Sequence, residues 1–183
     1  MRAASITTIA ALALLTCLGL AGPIRSDTFP FLSIRGQPTC DNDPKVVAGT
    51  MTPSSLTGRN LVPRRAALIR WCAPGGATYV LFTISYPVDP GSAVLSLVNA
   101  AFTTLMHHIQ QAGDGLIPNG VFTMDGANNM ELYSANANNH QQTYGVLAAA
   151  MSTLRNYMNR FGSGEVVFSI YDGANLVAEG SIE

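Results

Sequence analysis

Three histidines, His107, His108 and His140, are the side chains best suited to acid–base catalysis near neutral pH. A secreted hydrolase or nuclease would hold His140 against Glu131 or Glu165, so that the pair moves protons at the reacting bond. His108 against a carboxylate would serve equally. The sequence places no such pair with certainty, because the two acids and His140 lie in separate predicted elements, and we therefore assign no catalytic residue.

Metal binding by the histidines is not expected. His107 and His108 are neighbours in a predicted helix, where successive side chains point about 100° apart. Neither has a second histidine at the i, i+4 spacing of a helical zinc site. We interpret both as polar residues near a helix C-terminus, where they interact favourably with the helix dipole.

Oxygen-bearing side chains are concentrated in one turn, at Asp125, Asn128, Asn129 and Glu131. Calcium prefers such ligands, but the spacing is not that of an EF-hand loop. Residues 172–175 repeat the tetrad Asp-Gly-Ala-Asn without the second Asn and without the Glu. The composition is that of turns, and the sequence predicts neither a metal site nor any other cofactor.

The repeated tetrad indicates a repeated structural unit. Asp125-Gly126 and Asp172-Gly173 each follow a β-type run, and a long helical pattern precedes each run. Asp-Gly between two strands supplies the positive φ values of tight hairpin turns. The sequence therefore predicts a helix, strand, turn, strand unit that is used twice.

A loop rich in amides follows the first tetrad; its residues are Asn136, Asn138, Asn139, Gln141 and Gln142. Amides bind sugars and the edges of peptides, and they also simply solvate loops. An extracellular protein or a glycan is the partner that this composition favours.

The elements that would position these residues follow from periodicity. Alternation after residue 66, a turn at residues 74–76 and alternation up to Tyr86 predict a β-hairpin. Asp89 and Pro90 predict the start of a helix that ends before Gly113. A second helix is predicted over residues 143–161, with Gly162 as its C-terminal stop.

The predicted order is β-β-α-β-β-α-β-β. This order predicts an α+β fold, a two-layer sandwich with two helices on one face of a mainly antiparallel sheet. Residues 66–183 form this single domain. The apolar fraction of 48% and the charged fraction of 11% in the whole sequence suffice for a real core and exclude a disordered chain.

The first 21 residues have the pattern of a secretory signal peptide, with Arg2, an apolar run and a small-residue exit at Ala21. The sequence therefore predicts a secreted, extracellular protein with no membrane association after the signal is removed. Cys17 would leave with the signal. Cys40 and Cys72 then remain in an oxidising compartment, which predicts a disulfide between them.

Residues 22–65 are rich in proline and basic residues, and they show no sustained period, which predicts an irregular arm. The arm is expected to pack on the more acidic remainder of the chain. Arg64 and Arg65 resemble a dibasic processing site, so a propeptide is the alternative interpretation. The acidity of the domain argues against nucleic acid as a partner.

Four stretches near the C-terminus, residues 142–147, 157–158, 168–173 and 180–182, resemble small secreted proteins of filamentous fungi whose function is mostly unassigned. The resemblance implies an extracellular protein and an effector candidate in host interaction. In outline, the architecture is also similar to the two-layer sandwiches of KP6-type fungal killer toxins. Those toxins are disulfide-rich, whereas two cysteines remain in this mature chain, and no functional residues are carried over.

The sequence therefore favours a secreted binding or effector-type protein without catalysis. The alternatives are a secreted hydrolase or nuclease that uses a histidine and a carboxylate, and a protein similar to a killer toxin. The oligomeric state is not predicted.

Overall fold

The structure is a computed structural model that describes residues 39–52, 68–85 and 93–183. Within these ranges it has two helices, α1 (Ala93–Ala112) and α2 (Tyr144–Phe161). The strands of the same ranges are β1 (Thr39–Cys40), β2 (Asp43–Val47), β3 (Ile69–Cys72), β4 (Thr78–Ile84), β5 (Val121–Asp125), β6 (Glu131–Asn136), β7 (Val166–Asp172) and β8 (Asn175–Ile182). The predicted signal peptide at residues 1–21, the processing site at Arg64 and Arg65, and the helix start at Asp89 and Pro90 lie outside the described residues.

Six strands form one antiparallel sheet in the order β3-β4-β7-β8-β6-β5. Both helices pack on the same face of this sheet and against each other, with α1 over β5 and β6 and α2 over β3, β4 and β7. The predicted α+β fold, with two helices and a mainly antiparallel sheet, is confirmed. The opposite face of the sheet is called the outer face below.

The core lies between the sheet and the two helices. Alternate residues of the central strands point into it, as the buried Val80, Phe82 and Ile84 of β4 show. Trp71 and Phe82 each meet the ring of Tyr157 edge-on, with centroids 5.2 and 4.9 Å apart. Such aromatic pairs add about 0.5–1.5 kcal/mol beyond the area that they bury, so they hold α2 firmly on the sheet.

The helix ends follow the residues that were expected to set them. The Thr143 hydroxyl accepts a hydrogen bond from the Val146 amide at 3.2 Å and so caps the start of α2. Gly162, with φ of 97°, ends α2, and Gly113, with φ of 82°, follows the last turn of α1. The predicted second helix and the predicted end of the first are confirmed.

A short two-stranded sheet, β1 with β2, lies where the sequence predicted irregular chain. The prediction is wrong there because the strands are too short to show a period, and β2 contains Pro44, a residue that is rare in strands. They are stabilised by contacts with β3, which is about 30 residues away along the chain. Cys40 and Cys72 form the predicted disulfide, and the amide and carboxylate of Asp41 bond the main chain of Arg70 at 2.7 and 2.6 Å.

The two repeated tetrads form different turns. Asp172 pairs with Asn175 across a two-residue turn in which Gly173 has φ of 60°, as expected. Gly126 has φ of −115°, so the expected positive φ is wrong at this position.

The first turn is longer, and its positive φ values belong to Asn128 and Asn129, both at 60°. Gly126 is in close contact with α1, because a Cβ there would lie 3.0 Å from the end of the Leu97 side chain, which would have to shift. With different turns in the two copies, an internal duplication stays a prediction.

A stacked pair of tyrosines on the outer face makes the stability of the fold depend on pH in the alkaline range. Tyr79 and Tyr171 stack with centroids 4.8 Å apart, beside the disulfide. Burial raises the pKa of the Tyr79 phenol above its ordinary value of 10.0; Tyr171 adds to the rise and Arg70 opposes it. The folded state therefore holds this proton more tightly than the unfolded state does, and the resulting stability is lost as the pH rises through the raised pKa.

We expect the free energy of unfolding to be insensitive to this group below pH 10.0 and to fall above it. In Tyr79→Phe the free energy of unfolding should fall less at alkaline pH than it does in wild type, as measured by urea unfolding at a series of alkaline pH values. Tyr133→Phe, made at a tyrosine that is 43% exposed, is the control and should keep the wild-type loss. Equal alkaline losses in wild type and Tyr79→Phe would contradict the assignment.

Candidate binding groove at the sheet edge

The structure gives the helical histidines partners other than carboxylates. His107 Nε2 lies 3.1 Å from the side-chain amide nitrogen of Gln111. The ring of His108 stacks on Tyr144, with centroids 3.7 Å apart and planes 21° apart. The first contact is local to the helix, whereas the second joins α1 to the start of α2.

The expected alternative pair, His140 with Glu131 or Glu165, is not brought together. Glu131 begins β6, and His140 lies in the loop after that strand ends at Asn136. A strand rises about 3.3 Å per residue, which separates the two ends of β6 by roughly 16 Å. Glu165 precedes Val166, whose partner Ile182 also pairs with Leu132, so Glu165 lies at the Glu131 end of the sheet.

Much of the amide-rich loop is structural. The Gln142 side chain is fully buried; its oxygen accepts a hydrogen bond from the Ser134 hydroxyl at 2.9 Å, and its nitrogen donates to the Gly120 carbonyl at 3.1 Å. Asn138 and Asn139 have positive φ of 54° and 58°, which explains an amide at each place. The side chains of Asn138, Asn139 and Gln141 are exposed, so binding of a sugar or peptide by this loop stays a prediction.

Asp114, which the sequence did not single out, fixes the entry to α2. Its carboxylate accepts hydrogen bonds from the Gly145 amide at 2.8 Å and the Thr143 hydroxyl at 3.2 Å. A negative charge at this end of a helix is also favoured by the helix dipole. The interaction sets the position of Tyr144 beside His108.

Two cavities of useful size lie in the part of the chain that the structure describes. One, of about 270 Å³, is an apolar depression between α1 and α2 lined by Phe102, Met106, Ile109 and alanines of α2. The other, of about 360 Å³, is called the edge groove. It is lined by Thr104, Leu105 and His108 on α1, by Val121, Phe122 and Thr123 on β5, by Ile117 and Pro118 just before β5, and by Tyr144 at the start of α2.

The edge groove runs along the side of β5. Phe122 faces the helices, whereas Val121 and Thr123 face the outer side, so a cavity that touches all three lies against the edge of the strand. The stacked His108 and Tyr144 also line the groove. The sequence could not predict this groove, because the groove exists only where β5 is the edge strand of the sheet.

Comparison with known proteins finds no matching family model, no matching curated protein and no matching solved structure. Across the described ranges, no helix has the length and apolar character needed to cross a membrane. The same ranges contain no group of three or more His, Cys, Asp or Glu residues placed to hold a metal ion. The geometry of the edge groove is therefore the main basis for a functional proposal.

Proposed function

We propose that the chain is a secreted, extracellular binding protein of effector type that engages a protein or glycan partner without catalysis. The edge groove carries the proposal. It is a concave site of about 360 Å³ whose walls combine apolar, aromatic and hydroxyl-bearing side chains. That combination suits recognition of a surface or a segment of another molecule.

Secretion is supported by the signal-like pattern at residues 1–21 and by the disulfide, which persists in oxidising compartments. We expect the secreted product to begin after Ala21. Mass spectrometry of protein recovered from the culture medium of a secreting host tests this. A product that retains the first 21 residues, or that stays inside the cell, would contradict secretion.

A binding role without catalysis is supported by the contacts of the polar side chains in and near the groove. The His108 ring is stacked on Tyr144, and the Asp114 carboxylate bonds the start of α2. Both groups already have partners within the protein. Leu105 and Phe122 provide an apolar wall, and Thr104 and Thr123 provide hydroxyls that orient a partner.

The groove is tested by filling it. Thr104 is an exposed residue of α1 that lines the groove, so Thr104→Trp should obstruct it and weaken partner binding about tenfold or more. Thr103→Trp is the matched control, because Thr103 is the neighbouring exposed threonine and does not line the groove. Affinities are measured for the ligands that wild type selects from arrays of extended peptides and of glycans.

A ligand that binds wild type and both variants equally would remove the groove from the proposal. Hydrolysis of an array ligand by wild type, abolished by a histidine substitution, would replace binding with catalysis. Loss of binding in Thr104→Trp alone is the expected result.

A further inference from the structure

We propose that the partner bound at the edge groove is an extended, basic peptide segment that pairs with β5 as an added strand. This inference rests on the proposed function, and it names the class of partner. Three observations carry it: the unused main-chain groups of β5, the cavity beside them, and a row of carboxylates at the end of the same strand.

The register shows which main-chain groups of β5 point away from the sheet. The Gly126 amide bonds the Met130 carbonyl at 2.7 Å, just beyond the Asp125–Glu131 pair. Hydrogen-bonded pairs alternate along an antiparallel ladder, so Met124 and Phe122 bond β6. The amides and carbonyls of Thr123 and Asp125 therefore face outward.

The two edge strands of the sheet, β3 and β5, differ in what bonds their outward main-chain groups. At β3, Asp41 bonds the main chain of Arg70, and the Asn42 side chain bonds the Cys72 carbonyl and amide at 2.9 and 3.1 Å. These contacts imitate a neighbouring strand and close that edge. At β5, none of the described ranges supplies a comparable strand, and an exposed strand edge is a template for pairing with another chain.

A strand added to β5 would send alternate side chains to the two sides of the sheet. On the helix side they would enter the edge groove, against Leu105, Phe122 and His108. On the outer side they would pass Thr123 and Tyr133, which pair directly across β5 and β6. An apolar or aromatic residue in the peptide fits the groove position, because the wall there is Leu105 with Phe122.

Three carboxylates form a cross-strand row at the end of β5 on the outer face. Asp125 lies opposite Glu131, and the Glu131 and Glu183 amides each bond the other's carbonyl, at 2.7 and 3.1 Å. Like charges directly opposite each other destabilise a sheet. The described basic residues lie elsewhere, for example Arg70 on the far edge strand β3 and Arg155 over the Phe102 ring.

The acidic row therefore favours a lysine or arginine in the bound peptide beside Asp125. A metal ion is a weaker explanation, since the row does not form a metal-holding cluster. A second copy of this chain is also disfavoured, because β5 paired with β5 would add a second acidic row and supply no cation there. A glycan would leave the outward amides and carbonyls of Thr123 and Asp125 without the regular partners that a peptide backbone provides.

The test uses synthetic extended peptides of alternating apolar and polar residues, in a lysine-containing form and a matched glutamate form, with affinity measured by fluorescence anisotropy. Wild type should prefer the lysine form about tenfold or more, and the preference should shrink at high salt. Thr123→Pro removes an outward amide at an edge position, where proline is tolerated, and should abolish binding. Thr123→Ser keeps both the amide and the hydroxyl, so it should bind far more tightly than Thr123→Pro.

A charge-reversed variant, Asp125→Lys with Glu131→Lys, keeps the test informative if Thr123→Pro does not fold. It should prefer the glutamate peptide. Glu179→Lys is its control. Glu179 is an exposed carboxylate on β8 that pairs with Ala135 of β6 and lies outside the acidic row, so this variant should retain the lysine preference.

The outcomes separate this inference from the proposed function. Binding that is blocked by Thr104→Trp but unaffected by Thr123→Pro and by charge reversal would leave the groove as the site and overturn strand pairing. Self-association that depends on the Thr123 amide, or protection of that amide from hydrogen exchange in the free monomer, would mean that another copy or another part of this chain occupies β5. Either result would overturn the inference.

Discussion

Replacing both Cys40 and Cys72 by alanine is expected to lower the free energy of unfolding by roughly 3–4 kcal/mol. The bond joins residues 32 positions apart, and without it the unfolded chain gains the entropy of an open loop. Both cysteines are also buried, at 0% and 1% exposure, against Tyr79. The alanine variant therefore loses packing as well as the cross-link.

The loss should be largest at the small sheet. The amides of Arg70 and Cys72 bond the side chains of Asp41 and Asn42, which the disulfide holds beside β3. Urea unfolding measures the global effect, and hydrogen exchange of these two amides measures the local one. Wild type under reducing conditions loses the cross-link but keeps both buried side chains, so its free energy of unfolding should fall by less than that of the double variant. Unchanged stability and unchanged exchange in the double variant would contradict the prediction.

The helices and the antiparallel hairpins could be predicted because their signals are local. Thr143 and Gly162 bound α2, and the alternation along β4 identifies its buried face, each within a few residues of chain. The small β1–β2 sheet could not be predicted in this way. Its stability comes from Cys72 and from the main chain of Arg70, some 30 residues away.

The edge groove could not be predicted because it depends on strand order. β8 lies between β7 and β6, which leaves β5 at the edge beside α1. The residue pattern of β5 does not indicate that this strand lies at the edge of the sheet. The repeated tetrads were misleading for a related reason: Asp-Gly indicates a tight turn with positive φ, but Gly126 has an ordinary negative φ and lies close to the Leu97 side chain of α1.

Gln141 and Gln142 are adjacent amides that the sequence could not distinguish, and we expect their substitutions to differ greatly. Gln142→Ala should lower the free energy of unfolding by about 2–4 kcal/mol, since it removes a fully buried side chain and leaves buried hydrogen-bonding groups of Ser134 and Gly120 without it. Gln141→Ala, at an exposed site, should change it by less than about 0.5 kcal/mol. Urea unfolding of both variants measures the difference.

The same amide should also affect binding. By holding the Gly120 carbonyl beside Ser134, Gln142 connects the start of β5 to β6, and its own main-chain amide bonds Asn136 Oδ1 at 2.9 Å. Loosening this junction moves one wall of the edge groove, so Gln142→Ala should bind the basic peptide more weakly even at temperatures where it remains folded. Gln141→Ala should bind normally. Equal stability of the two variants would show that the buried hydrogen bonds do not hold this junction together, and Gln142 would then have no role in positioning the wall of the groove.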